Sequence, residues 1–528
     1  MSLRAVQRLQ TIGNFLRPAS AMSASLPPTI HQGILNVPGA TAESKATVER
    51  LLDDDRKTHH CLFGKGGFHN HASHHLLAAY DLGAPAKLLE AIYDEGKKGL
   101  NPLRPDASTT KEPYTVTITR GNWTQYLGTD YEHLYADYLE FFAKEIQTSG
   151  IGQTLEDYVF SHAANGNGSC MLLRFVSGAV HPMIQTGYGV EFGSDVMVAQ
   201  ALAQAAAHSP FAPEIFDLQE LSNQTGGVKS NAADSSHRQP AQGRSLLSIL
   251  KEAYDSPILH PVMPYDPDAL LSKRRRDAVK DGRAEEIQRL SALWKVDITR
   301  GQRELDEKVE ELLWLTTLLF AGSGRRGRKP RLDFFLMHML NVTLFVPSLL
   351  NAIPTIESKA LLLRATLPVF LLYLIMRGRP RIDPELMMSY TANPRPPKSE
   401  NAPAPDSSAL GDPRRDEFAN PWPAIVASVL HAPDPHTVKA IRALYYAAQK
   451  YGTTPAGGAI GAFQPNGEET HKGTSKTDGT IFVRAAGVVM DVLGWVSHGQ
   501  EEGTWDRSAL GWDDAWKTDG MKSVKATT

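Results

Sequence analysis

Cysteine is scarce: Cys61 and Cys170 are the only two in 528 residues. A pair excludes a disulfide-stapled secreted scaffold and is too few for a four-cysteine zinc or iron–sulfur site. An excess of charge is missing too, with 55 Lys and Arg against 58 Asp and Glu, a net charge of −3. Nucleic-acid binders carry a basic footprint, so nucleic acid is excluded as an expected partner. The small cluster from Arg325 to Arg331 reads as a solvated connector. Long apolar runs are missing as well. Residues 360–376 fall short of the about 20 that a membrane span needs, contain Arg364 and Pro368, and run into Arg377 and Arg379. A buried core helix is expected there, and no membrane span.

Cofactor-binding motifs are equally thin. Gly322-x-Gly324-x-x-Gly327 fits a dinucleotide pattern, but a Leu-rich helical run precedes it and Pro330 breaks the helix that should follow. In Gly64-x-Gly66-Gly67, His69 stands where the third glycine belongs. There is no Walker A sequence, no His-Glu-x-x-His and no nucleophile elbow. A helical di-iron site needs two Glu-x-x-His pairs, and the chain offers one, Glu468 to His471, in a Gly-rich loop. Flavin, nicotinamide and di-iron all lack a handle, so no tightly bound cofactor and no metal is expected.

The composition that remains, 42% hydrophobic and 21% charged, is that of an ordinary globular protein. Helical patterning dominates. Short helices are expected over Thr47–Leu52 and Asn70–Leu82, the latter closed by Gly83, with Pro85 opening another. Tyr131–Ile146, Leu155–Ala163 and Glu304–Phe320 are amphipathic, and Ser194 caps an Ala-rich helix to about His208. Asp333–Leu350 is apolar on nearly every side, which means burial. Asp434-Pro435 starts a helix that buries Val438, Ile441, Leu444, Tyr445 and Ala448. Tyr114–Thr119 is the best strand candidate. The expected class is mainly α: one large helical body over residues 31–520, with loops or disorder at about 222–244, 391–416 and 452–479. Residues 1–30 read as a flexible leader; Arg4, Arg8, Arg17 and the lack of any acid before Glu43 also suit a mitochondrial transit peptide. A cytoplasmic location is expected.

Histidine is the residue in surplus, with 18 copies. It is the side chain best suited to proton transfer near neutral pH and to metal ligation. His59, His60, His237 and His431 look incidental; the rest of interest gather at four places. In His69-Asn70-His71-Ala72-Ser73-His74-His75, the helical spacing puts His71, His74 and His75 on one face. That face can line a pocket as acid or base, bind a transition metal, or simply open a solvated helix. The shortage of nearby carboxylates weakens the metal option. The second place runs from His181 to Phe192, where His181, Tyr188 and Glu191 are all proton-transfer types. Glycines flanking Tyr188 allow close approach of a ligand to the backbone, or make an ordinary turn. His338 lies in the apolar segment and there would be neutral and hydrogen-bonded, as a core histidine also would. His436 sits in a first helical turn, where the helix dipole disfavours imidazolium, and Lys439 one turn on can meet an anionic oxygen. Exposure at a helix end would leave both idle.

The stretches HNHASHHLLAAYDLGAP (69–85), HPMIQTGYGVEFGSDVMVAQALAQAAAH (181–208), the helix around His338 and DPHTVKAIRALYYAAQKYG (434–452) resemble the questin oxidase-like family of fungal polyketide pathways, which includes an aflatoxin-pathway oxidoreductase. The likeness runs from about residue 35 to 515. It implies a Baeyer–Villiger-type oxygen insertion with dioxygen, opening a ring ketone of an anthraquinone- or anthrone-like aromatic polyketide. NADPH accompanies that step in the family. With no NADPH site visible, the reductant is expected to act on the substrate beforehand, through a separate quinone reductase. A reduced polyphenol can hand an electron to dioxygen itself, so the protein would supply a base, a dry pocket and oxyanion donors. On this reading a histidine among His71, His74, His75 and His181 removes a phenolic proton. His338 and His436 orient the peroxide, and Tyr188, Glu191 and Lys439 bind substrate. Two alternatives stand beside it: a metal-dependent oxygenase or hydrolase built on His71 and His75, and a non-enzymatic binder of aromatic ligands. Gln185-Thr186 departs from the histidine-leucine-like pair expected in the relatives, so emodin-type substrates are not implied.

Overall fold

Short polar side chains at helix starts fix much of the architecture. The computed structural model describes residues 29–64, 68–104, 116–217, 237–260, 265–397 and 404–517; nearly all of the expected leader and parts of the first two expected loops lie outside them. Thr41 caps α1 (Ala42–Thr58), which is longer at both ends than its apolar pattern suggested. α2 (Ala72–Asp81) and α3 (Ala86–Gly96) follow, separated by Gly83 and Pro85 as expected. α4 (Tyr135–Leu155) and α5 (Ser177–Glu191) come next; Ser194 then caps α6 (Asp195–Ala207), its Oγ accepting from Met197 N. After α7 (Gln302–Ala321), the apolar segment from 333 to 350 is two helices, α8 (Phe334–Thr343) and α9 (Val346–Ala352), bent by 41°. α10 (Ile356–Met376) is long and apolar enough to cross a membrane, yet 89% of its most apolar window is buried in the molecule, as a core helix should be. α11 (Pro435–Tyr451) and α12 (Ile481–Leu493) complete the frame.

Four of these elements meet around one point. α2 packs on α5 and α11, and α8 packs on α5 and α11, so the four form a closed ring of contacts. The ring sits within a continuous apolar core running from Ile30 to Trp505. The fold is mainly α; among the described residues the only sheet is a two-stranded antiparallel ladder, Leu62–Phe63 with Phe68–His69.

Two expectations need correction. The strand at 114–119 does not form over its described part, 116–119. Asn122 satisfies that backbone instead: its Oδ1 accepts from Thr119 N and its Nδ2 donates to Thr117 O, which leaves no edge for a partner. The stretch from His181 is helical to Glu191 and is not a turn; the non-helical residues, Gly178 to Val180, come before it. Gly187 and Gly189 are there for packing: a Cβ would lie 2.3 Å from the Phe345 Cβ and 2.6 Å from Val198 Cγ2. The stretch 452–479 is a loop, one of the two forms expected of it, and a packed one, with Thr470, Thr474 and Thr477 buried and Thr474 Oγ1 donating to Ala462 O at 2.6 Å. The basic cluster is consumed by acids: Arg325 pairs with Asp513, Arg326 with Asp383 and Glu385, and Arg331 with Asp506.

Candidate active site: four converging imidazoles

The ring of helices delivers one histidine each from α2, α5, α8 and α11. One nitrogen from each of His71, His181, His338 and His436 lies within 4.8 Å of every other. Each arrives by a different local device. His71 is the residue before α2, with φ −110° and ψ 1°. His181 follows three residues in the left-handed region, Gly178, Ala179 and Val180, at φ 55°, 53° and 61°. For Ala and a β-branched Val that conformation costs about 1–2 kcal/mol each, a strain of the kind that persists where the surroundings hold it for a purpose. His338 is one turn into α8, whose cap Asp333 accepts from Phe335 N and Leu336 N and is held in turn by buried Arg377. His436 is in the first turn of α11, and Asp434 caps its backbone N–H.

Hydrogen bonds on the outer side of the rings fix what the inner side can do. His71 Nδ1 meets His69 O at 2.6 Å, His181 Nδ1 meets Gly178 O, and His338 Nδ1 meets Phe334 O at 2.8 Å. A carbonyl only accepts, so each Nδ1 carries the proton and each Nε2 presents a lone pair. His436 Nδ1 is likewise held by the Asp434 carboxylate at 2.8 Å, leaving Nε2 buried and without a partner. His71 Nε2 and His181 Nε2 stand 2.9 Å apart. Two lone pairs at that distance repel unless a cation lies between or beside them.

A proton is a poor candidate for that cation. Burial, then the neighbouring Lys439, holds His71 well below the ordinary imidazole range; burial and His69 do the same to His181, and burial and His436 to His338. His436 is pushed down to about 4 by burial and Lys439, against the pull of Asp434. A metal ion fits better. Donors sharing one ion at about 2.1 Å are about 3–3.5 Å apart; the His71–His181 pair stands at 2.9 Å, and the whole set, within 4.8 Å, would draw in slightly around an ion. Ligating histidines also characteristically donate their second nitrogen to a carbonyl or carboxylate, as all four do. Neutral imidazoles suit Zn, Cu, Fe or Ni. Lys439, buried beside the cluster with Nζ unpartnered, is brought down to about 7 by burial, so near neutrality it can carry or release a proton.

The remaining expected site residues divide. His74 is turned away: its Nε2 donates to Gln185 Oε1 at 2.6 Å, which gives the departing Gln185 a task. His75 is buried with Nε2 unpartnered and is not among the four. The expected common face of His71, His74 and His75 is therefore corrected, because His71 is not in helical conformation. Glu191 contacts no open space: its carboxylate is ion-paired with Arg442, which also binds Asp81. Tyr188 is fully buried, stacked on His74 at 4.9 Å and lying under Arg442. Both belong to the packing that supports the site and not to a substrate surface. His69 and His208 went unassigned in the sequence; their Nε2 atoms meet at 2.9 Å, and the His69 ring stacks on His181 at 3.9 Å. His208 ends an Ala-rich run, and that isolation was the one available signal.

The sequence has relatives. Residues 68–444 match the family model described as questin oxidase-like. The Baeyer-Villiger oxidase AgnL3 of Paecilomyces divaricatus is 25% identical over 419 residues, covering 78% of this chain and 80% of that protein. The Baeyer-Villiger monooxygenase dmxR6 of Cryptosporiopsis sp. is 28% identical over 333 residues, 62% of this chain and 68% of its own length. The oxidoreductase AflY of Aspergillus parasiticus is 26% identical over 387 residues, covering 72% and 67%. Three of the four histidine-bearing stretches that suggested the likeness lie wholly inside the matched region, and the fourth begins there, so the chain belongs to the questin oxidase-like family.

Proposed function

We propose that the chain is a metal-dependent oxidase of the Baeyer–Villiger type that acts on an aromatic polyketide with dioxygen. The relatives' names supply the reaction class; the one observation that carries the metal is the convergence of four Nε2 lone pairs, each fixed from behind by an oxygen acceptor. This reading takes the metal alternative weighed from the sequence and rebuilds it. His71 stays, His75 leaves, and His181, His338 and His436 enter. It is preferred over a cofactor-free base because four neutral imidazoles with converging lone pairs are better satisfied by a shared cation than by one another.

A redox-active ion such as iron or copper would supply the one-electron chemistry that triplet dioxygen requires. The protein's own groups do the rest. The four histidines hold the ion and keep carboxylates out of its immediate surroundings. Lys439 accepts the proton released when a ring hydroxyl ionises, and returns it as an alkoxide or water leaves. In the net reaction one oxygen atom enters between the ring carbonyl carbon and its neighbour. The second leaves as water, with two electrons and two protons drawn from a reduced substrate. Those electrons come from a separate NADPH-dependent quinone reductase acting beforehand.

The test is to purify the full chain, count metal by mass spectrometry, strip it with a chelator, and restore iron or copper. Each form is mixed anaerobically with a chemically reduced anthraquinone and exposed to labelled dioxygen. Oxygen incorporation should follow bound metal, near one ion per chain. Undiminished incorporation by metal-free protein would return the cofactor-free histidine base to first place.

A further inference from the structure

The segment that closes the site comes from beyond the region shared with the family model. Residues 505–508 lie along the start of α8 as a short strap. Asp506 N donates to Leu332 O and Phe334 N donates to Asp506 O, both at 2.8 Å. Arg331 Nε adds a charged contact to Asp506 Oδ2 at 2.7 Å. Trp505, buried, anchors the near end against Phe320 and Phe334. The strap is therefore held by backbone and side chain on both sides of the one residue that projects from it, Arg507.

Arg507 is exposed, and its guanidinium carbon lies 4.1 Å from the centre of the Phe334 ring. That ring in turn lies 4.9 Å from His338 and 4.8 Å from His436. Of the acids around it, Asp506 is paired with Arg331 and Asp333 with Arg377, while Asp434, bonded through Oδ1 to His436, attracts Arg507 without pairing with it. Among the described residues no carboxylate pairs with Arg507. His71 and Phe334 are the members of this neighbourhood that retain solvent exposure, while His181, His338 and His436 are buried. The open side of the imidazole cluster is thus the side that Arg507 overlooks.

We infer that Arg507 is the substrate's anion anchor, pairing through its free N–H edge with an ionised ring hydroxyl of the aromatic substrate while the reacting ring faces the four imidazoles. A guanidinium stacked on an aromatic ring keeps its donors in one plane, so it recognises an oxyanion at a fixed distance from a flat ring system. Polyhydroxylated aromatics with an acidic hydroxyl are the class selected, and their alkyl ethers are discriminated against. The inference rests on the oxidase reading above.

The experiment measures equilibrium binding, by absorbance titration, of a hydroxyanthraquinone and of its O-methyl ether to the metal-loaded full chain. Both are oxidised, so no turnover intervenes, and the pH is set above the hydroxyl's pKa. Wild type is compared with Arg507→Met, which keeps the length and packing, and with Arg507→Lys. Arg507→Met should raise the Kd of the ionised ligand about tenfold or more and that of the ether less than twofold. Arg507→Lys should recover part of the loss. Equal weakening of both ligands, or no change in either, would overturn the anchor while leaving the oxidase reading intact. If wild type binds neither ligand, the aromatic-substrate reading itself fails and the anchor falls with it.

Discussion

Two buried polar clusters share three helices, to which the second adds α8, and they are built on opposite terms. In one, Arg442 on α11 binds Asp81 on α2 through Nε at 2.8 Å and Glu191 on α5 through Nη2. Backbone N–H groups of Ile34, Leu35 and Asn36 fill further carboxylate positions, and the rings of Tyr188, Phe192 and Phe345 pack under the guanidinium. Opposite charges are consumed within the cluster. In the other, four bases turn their protons outward and their lone pairs inward, with no acid at the centre. The first arrangement pairs opposite charges internally and holds the chain together, although Glu191 Oε2 and Arg442 Nη1 have no partner. The second has no opposite charge at its centre and calls for a cation from outside, and that need is what distinguishes a working site from a structural one.

Acid should break the comparison most completely. Burial lowers the titration of His69, His71, His74, His75, His181, His208, His338 and His436 in the folded protein, to about 4 for His75, His208 and His436. Below about 6.5 the unfolded chain takes up a proton on each, and the folded protein does not until far lower pH. Stability of the metal-free protein therefore falls as pH falls from about 6.5 towards 4, and thermal melts across that range should show it unfolding. A flat profile would mean that the imidazoles are hydrated.

Arg442→Met comes next. It strands two buried carboxylates and should cost about 3–5 kcal/mol in denaturant unfolding. A melt like wild type would remove the clamp from the argument. His338→Ala should act the other way round, with metal retention and oxygen uptake falling about a hundredfold or more while the metal-free melt moves less than with Arg442→Met. Loss of folding without loss of metal would reverse the assignment of the two clusters. The smallest effect is expected of Asp434→Asn, which keeps an oxygen for His436 Nδ1 but removes its charge. Metal affinity should drop about tenfold, read by competition with a chelator.

Much of this was legible before the structure. Ser194 and Asp434-Pro435 marked helix starts because a short polar side chain can replace the missing backbone acceptor. The four histidine positions stood out because each sits in a sequence that otherwise favours burial. The helix from His181 to Glu191 was hidden because the two glycines flanking Tyr188 read locally as a turn, and the left-handed run Gly178–Val180 that opens it has no sequence signal at Ala179 and Val180. The strand at 114–119 failed because alternation says nothing about whether a partner exists. Which imidazoles face inward was out of reach, because it depends on the oxygens of His69, Gly178, Phe334 and Asp434 and on packing between helices far apart in the chain. Glu191 and Tyr188 misled for the same reason: residue type suggested chemistry, and only Arg442, a long way downstream, reveals their engagement.

The shared helices have a mechanical side. On α2 and α5 the histidine stands near the start and the carboxylate at or near the end, while on α11 His436 and Arg442 are separated along one helix. Fastening the far ends by a charged knot fixes how widely the near ends can open. An ion that needs longer bonds or more ligands than four imidazoles provide would have to lever that knot apart, against several kcal/mol of buried charge pairing. Selection among metals is then decided partly at a distance from them, by the stiffness of the frame and not only by the chemistry of nitrogen.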